Sequence, residues 1–185
     1  MLIGLTGGIG SGKSTIARAL EARGYAVYNT DREAKRIIVH NPAVRSQVET
    51  LFGSDVFDGD TYLTDRVAEQ VFADKSLLDK LNHIVHPAVA FELRHWAKEQ
   101  SQTCFVESAL LFSSGLNKLC DKTVWIDAPE EVRIARTIAR DHSDINKVRA
   151  RVRAQRDDSG LADIILVNDG TKKVAQLVDD LFAHI

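Results

Sequence analysis

Gly7-Gly8-Ile9-Gly10-Ser11-Gly12-Lys13-Ser14-Thr15 decides how this chain is read. The apolar run Leu2-Ile3-Gly4-Leu5 precedes it, and Ile16-Ala17-Arg18-Ala19-Leu20 follows with apolar positions that suit one helix face. A strand, a glycine-rich loop ending in Gly12-Lys13-Ser14 and a helix make a Walker A phosphate-binding loop. Glycines allow successive backbone N–H groups to turn inward, forming a nest for phosphate oxygens at a helix N-terminus. Lys13 adds a point charge for the β- and γ-phosphates, and Ser14 offers a hydroxyl to Mg²⁺. A dinucleotide-binding reading needs a third glycine where Lys13 stands, and fails. The stretch implies a bound nucleoside triphosphate.

At 185 residues the chain suits one domain with a substantial core and an insert or lid. Hydrophobic and charged fractions of 44% and 27% are those of a globular protein, and a net charge of −2 argues against a general nucleic-acid or membrane-surface binder. Cys104 and Cys120 have neither a disulfide framework nor metal-ligand spacing, so both are expected as small apolar residues in a reducing compartment. No leader segment and no run of about 18 apolar residues is visible, which makes the cytoplasm the expected compartment.

The first helix is expected from Lys13 to Arg23 with Gly24 as its C-terminal cap, followed by a strand over Tyr25-Ala26-Val27-Tyr28. That strand delivers Asn29-Thr30-Asp31 to the carboxyl edge of the sheet, where open α/β sheets bind ligands. Asp31 reads equally well as a catalytic carboxylate and as the N-cap of the next helix, a role Thr30 could also fill. Residues 42–99 read as largely helical, interrupted at Gly53 to Asp60 and again at His86-Pro87, where proline should break or redirect the helix. Val67, Val71 and Phe72 are expected to share a face. Thr103 to Glu107 reads as a buried strand ending in a carboxylate fit for a Walker B role; Lys122 to Asp127 is a second strand of that shape. The last strand is expected over Ala162 to Val167, and Val174, Leu177, Val178, Leu181 and Phe182 form the stripe of a closing helix.

Arg133, Arg136 and Arg140 recur at i, i+3 and i+7, and Arg149, Arg153 and Arg156 also share a helical face. Such runs are usually solvated surfaces. Beside a triphosphate they become candidates for stabilising charge during phosphoryl transfer, on a lid of two helices. A GTPase reading fails because Asn117-Lys118 is followed by a carboxylate one place too late, and Asp157-Asp158-Ser159-Gly160 does not follow a strand. A small-molecule kinase fits better.

In order and spacing the motifs resemble the dephospho-coenzyme A kinase family over nearly the whole chain. The likeness rests on Gly4 to Thr15, Asp31, Asp65-Arg66 with Val71-Phe72, Leu81 through His86-Pro87, and Leu110-Leu111-Phe112. It continues in Arg136 with Arg140-Asp141, Gln155-Arg156, Ala162-Asp163 and Asn168-Asp169-Gly170. Departures are Ala109 where proline is common, Ser113 where an acidic residue is common, and Glu107 in place of aspartate.

The resemblance implies transfer of the ATP γ-phosphoryl group to the ribose 3′-hydroxyl of dephospho-coenzyme A. It implies an α/β, three-layer P-loop kinase fold: a five-stranded parallel sheet with a helical acceptor-binding insert and an arginine-rich lid. The core would comprise about 1–40, 102–132 and 160–185, the insert about 41–101 and the lid about 133–158. Gly8, Gly10, Ser11, Gly12, Lys13, Ser14, Thr15 and Arg136 would hold ATP. Lys13, Asp31 and Arg140 would be catalytic, with Asp31 taking or orienting the proton of the attacking hydroxyl. Asp31, Arg66 and His86 would lie on the acceptor side. Mg²⁺ would sit at Ser14, with Glu107 acting through water. The expected partners are ATP and dephospho-coenzyme A, with no nucleic acid or membrane, in a monomer or weak homo-oligomer.

Overall fold

β1 (Leu2–Gly7) is buried along its whole length because it runs through the middle of a five-stranded parallel sheet. In the computed structural model, which describes residues 1–185, β2 (Val27–Asn29) and β5 (Cys104–Glu107) lie on one side of it. β6 (Lys122–Asp127) and β7 (Ile164–Val167) lie on the other, giving the order β2-β5-β1-β6-β7. Alternation along β1 divides its side chains. Ile3 and Leu5 join Ile16, Ala17 and Leu20 of α1 (Lys13–Ala22) and Leu177, Val178 and Leu181 of α8 (Val174–His184) in the main apolar core. Gly4 faces the other way, where a Cβ would stand 2.7 Å from Leu111 Cδ2. Leu111 is therefore fully buried, whereas its neighbour Leu110 is half exposed. Each fully buried aliphatic side chain contributes about 1.5–3 kcal/mol, so this core dominates the stability of the sheet.

α1 ends as its sequence leads one to expect. Gly24 takes a positive φ of 86°, its N–H reaches the Glu21 carbonyl at 2.9 Å, and the Tyr25 N–H reaches that of Leu20 at 3.1 Å. This paired closure turns the chain into β2. Both cysteines are free thiols, Cys104 buried and Cys120 half-buried, and burial pushes the Cys120 thiol up to about 12.

The chain forms two compact units: Met1–Tyr28 with Gln100–Ile185, and Asn29–Glu99. The second unit holds α2 (Thr30–His40), α3 (Pro42–Phe52), a short hairpin of β3 (Phe57–Asp58) and β4 (Thr61–Tyr62), α4 (Thr64–Ala73) and α5 (Ser76–Glu99). Ile37, Val44, Val48, Val85, Val89 and Leu93 are among its buried residues. Arg36 of α2 pairs with Glu92 of α5. The first unit also carries α6 (Glu130–Asp141) and α7 (Ile145–Ala154).

Three expectations are corrected. α5 runs through Pro87 without a break. An interior proline costs about 3 kcal/mol, but the buried stripe Val85, Val89 and Leu93 spans it, and burial of three such residues outweighs that cost. Phe72 does not share the buried face of Val67; it is 89% exposed. Five residues turn a helix by about 140° beyond a full turn, which carries Phe72 outward. Arg156 lies beyond the end of α7, and the α7 arginines face carboxylates of their own hairpin: Arg149 pairs with Glu131 at 3.8 Å and Arg153 with Glu130 at 3.6 Å.

Asp163 ties the approach of β7 to β6. Its Oδ2 accepts from the amide and the hydroxyl of Thr123, both at 2.7 Å, and these bonds hold the carboxyl below the usual carboxylate range. A lowered folded pKa gives stability that is complete above the ordinary carboxylate pKa of about 3.9 and is lost as pH falls through the folded value. Asp163→Ala should therefore lower the melting temperature near pH 7. The gap between variant and wild type should close below about pH 3.9, as melting curves across pH will show.

Candidate active site

α1 opens on Gly12, held in the left-handed region at φ 99°, ψ 19°, and no side chain caps it. The residues before it form a tight loop in which the Ser11 N–H donates to the Gly8 carbonyl at 3.1 Å. An uncapped helix N-terminus presents unpaired donors and the positive end of the helix dipole, a setting that favours an anion. Above it lies a cavity of about 410 Å³ lined by Gly10, Gly12, Lys13, Ser14, Thr15, Arg18, Arg136 and Arg140. Four of those eight residues are cationic.

Lys13 Nζ donates to the carbonyls of Gly7 at 2.8 Å and Gly8 at 2.9 Å, so its ammonium lies across the loop that precedes it. Ser14 Oγ donates to Glu107 Oε1 at 2.6 Å. β5 delivers Glu107 to this point because it pairs directly with β1, placing Glu107 beside Leu5, two residues before the loop. Glu107 is buried at 6% exposure. Asp127, the other strand-end carboxylate, is exposed, and its backbone carbonyl accepts from the Asn168 amide at 2.7 Å.

Arg136 is fixed from two directions. Its Nη1 donates to the Asn168 carbonyl at 2.9 Å and reaches the Ser11 carbonyl at 3.5 Å, while Nη2 reaches Asn168 Oδ1 at 3.3 Å. Asn168 Nδ2 in turn donates to the Ser11 carbonyl at 2.7 Å. A Cβ on Gly12 would overlap that same amide, so Gly12 is required for space as well as for its φ. Arg140, one turn further along α6, is held by its neighbour Asp141, Nε to Oδ1 at 2.6 Å and Nη2 to Oδ2 at 3.0 Å. This pair raises the arginine and lowers the carboxyl relative to their ordinary values.

Gly8 to Thr15, Glu107, Arg136 and Arg140 thus all belong to the first unit. Asp31, Arg66 and His86 belong to the second. Asp31 lies in the first turn of α2, exposed and without a hydrogen bond or ion pair. The N-cap of that helix is Asn29, whose side chain accepts from the Arg32 amide at 2.9 Å, so neither Thr30 nor Asp31 serves as the cap. Arg66 Nη1 donates to the Asp55 carbonyl at 2.9 Å and approaches its carboxylate at 3.3 Å, joining α4 to the turn before β3. His86 is half-buried on α5, and burial with the nearby His83 lowers its pKa. Asn168 enters the sequence reading only within the Asn168-Asp169-Gly170 motif, which does not foretell its bond to the Ser11 carbonyl of the loop. Its place directly after β7 was the available signal, since strand ends of this sheet edge carry ligand-facing groups.

A parallel sheet, a Walker A loop with its lysine and serine, and Arg136 and Arg140 from α6 define a phosphate-loop kinase. Residues 1–173 match the family described as Dephospho-CoA kinase, and the chain belongs to that family. A Dephospho-CoA kinase of Porphyromonas gingivalis is 43% identical over 86% of this chain and 80% of its own. Among solved structures, TT1252 from Thermus thermophilus superposes with a TM-score of 0.82 at 32% identity, covering 100% of this chain and 97% of that one. A Dephospho-CoA kinase from Campylobacter jejuni shares the fold, with a TM-score of 0.68 at 23% identity over 98% and 94% of the two chains.

Two substitutions separate the parts of this network. Ser11 Oγ is fully buried and has no hydrogen-bond partner, a state that costs about 1–3 kcal/mol. Ser11→Ala should raise the melting temperature by a few degrees and leave ATP affinity within about twofold. Asn168→Ala removes the Oδ1 contact to Arg136 and the amide bonded to the Ser11 carbonyl while keeping the backbone carbonyl that holds Arg136 Nη1, and should weaken ATP binding by about tenfold in calorimetry.

Proposed function

We propose that this chain transfers the γ-phosphoryl group of ATP to the ribose 3′-hydroxyl of dephospho-coenzyme A, releasing coenzyme A and ADP. This is the last step of coenzyme A synthesis. Membership of the family supports the choice of acceptor. The observation that carries the phosphoryl chemistry is the cavity over the uncapped start of α1, walled by Lys13, Arg136 and Arg140.

The acceptor 3′-oxygen attacks the γ-phosphorus, the bond from that phosphorus to the β–γ bridging oxygen breaks, and ADP leaves with the electron pair. Positioning and charge neutralisation supply most of the rate in such a transfer. Gly8 to Thr15 would cradle the phosphates. Lys13 would turn from the Gly7 and Gly8 carbonyls to the β- and γ-oxygens. Arg140, released from Asp141, would meet the charge that spreads over the transferring group, with Arg136 fixed beside it. Asp31 would take the hydroxyl proton. Its freedom from capping supports that role, because Asn29 already satisfies the α2 amide. Arg66 and His86 are assigned to the acceptor side of the second unit.

The oxygen donors of Ser14 and Glu107, 2.6 Å apart, fit a hard cation. Magnesium is commonly held by one or two protein oxygens together with phosphate oxygens and water. Ser14 would hold it directly and Glu107 through water; when bound, it neutralises phosphate charge and fixes the triphosphate. The helical unit as acceptor-binding insert, the α6–α7 pair as lid, a cytoplasmic site of action and a monomeric or weakly associating state belong to the same proposal. No helix is long and apolar enough to cross a membrane.

Mass spectrometry of a reaction of purified protein, ATP, Mg²⁺ and dephospho-coenzyme A should reveal coenzyme A. Phosphorylation of a nucleoside monophosphate instead would reject the acceptor. Asp31→Asn should keep ATP affinity within about threefold and lose 10²-fold or more in kcat, the range of a general-base contribution. Wild-type-like turnover in that variant would remove Asp31 from the mechanism. Lys13→Ala should depress both ATP binding and kcat.

A further inference from the structure

The α6–α7 hairpin has a small apolar nucleus of its own, Ile134, Val148 and Val152. Ile138 packs against it, and so does Ile9, a residue of the phosphate loop. The Ile9 N–H donates to Gln155 Oε1 at 2.7 Å, across 146 residues of chain. Gln155 is the residue that closes α7. On either side of Ile9 the loop presses directly on α6: a Cβ on Gly8 would overlap the Arg133 guanidinium, and one on Gly10 would overlap the Arg133 carbonyl. Arg136 is tied to the sheet end through Asn168, but Arg140 bonds only to Asp141, its own neighbour. The placement of Arg140 relative to the loop therefore depends on how the whole hairpin is docked.

We infer that Gln155 is a positioning residue for phosphoryl transfer: through the Ile9 amide it fixes the docked hairpin, and with it Arg140, against the phosphate loop. Glycines flank Ile9 on both sides, so the loop has little backbone stiffness of its own there. The side chain of Ile9 supplies burial without direction, and the hydrogen bond to Gln155 supplies the direction. An amide left unpaired in this half-buried place would let the loop and hairpin shift, and a misplacement of about 1 Å can cost on the order of 10²-fold in rate. ATP or ADP affinity depends less on this contact, because Lys13 and the first turn of α1 remain in place.

The assignment rests on the phosphoryl-transfer reading but not on the identity of the acceptor. The test uses Gln155→Met, which keeps length and removes the acceptor oxygen. Its kcat should fall about 5- to 30-fold, with ADP affinity by calorimetry within threefold of wild type. Hydrogen exchange at the Ile9 amide should accelerate at least tenfold. A kcat within twofold of wild type overturns the assignment, and so does a parallel collapse of kcat, ADP affinity and melting temperature, the pattern of a merely structural role. Gln155→Glu, which keeps an acceptor oxygen, should hold kcat within threefold; a deeper loss also overturns it. If the unmodified chain turns over no dephospho-coenzyme A, the acceptor reading fails alone, and ATP hydrolysis with exchange at Ile9 reads the contact instead.

Discussion

A helix that begins without a cap is an electrostatic demand. α1 starts on a left-handed Gly12 with no side chain to receive its first donors, and the nearest ionic groups on its cavity are Lys13, Arg18, Arg136 and Arg140. These charges repel one another and the helix dipole adds to the repulsion. The structure manages this with backbone oxygen. Carbonyls of Gly7 and Gly8 receive Lys13, those of Ser11 and Asn168 receive Arg136, and the Asp141 carboxylate receives Arg140. Much of the first unit can be understood as scaffolding for this arrangement: β1 and β5 bring Ser14 to Glu107, β7 brings Asn168 to Ser11, and α6 brings the arginines.

These contacts also explain where glycine is needed. Crowding against the Arg133 backbone at Gly10 and the fixed Asn168 amide at Gly12 leaves no space for side chains, while at Gly8 the Arg133 guanidinium would have to shift. The loop is defined as much by the neighbours pressing on it from outside as by the phosphate it would hold inside. Its outer half is a packing surface for the α6–α7 hairpin, with Ile9 as the residue that enters the hairpin's nucleus.

What could be read from residue order was the part governed by local rules. Gly12-Lys13-Ser14 after an apolar run, the closure at Gly24, the strands ending in Glu107 and Asp127 and the stripe on α8 all follow from spacing and backbone preference. Expectations failed where partners distant in sequence decide. Pro87 continues a helix because Val85, Val89 and Leu93 are buried on both sides of it. Phe72 points outward because the short α4 has only one buried face. Asn29, rather than Thr30 or Asp31, caps α2, a choice between adjacent polar residues that composition cannot make. Asn168 and Gln155 bond loop residues more than 140 positions away, partners that residue type and local spacing do not name.

The state of the two cysteines has a practical consequence. With Cys104 buried and the Cys120 thiol raised to about 12, neither forms much thiolate near neutral pH. Maleimide-type reagents should pass both by. A single new cysteine at an exposed place on the hairpin could then carry a fluorophore in the otherwise unaltered chain, giving an optical test of whether the hairpin moves as nucleotide arrives.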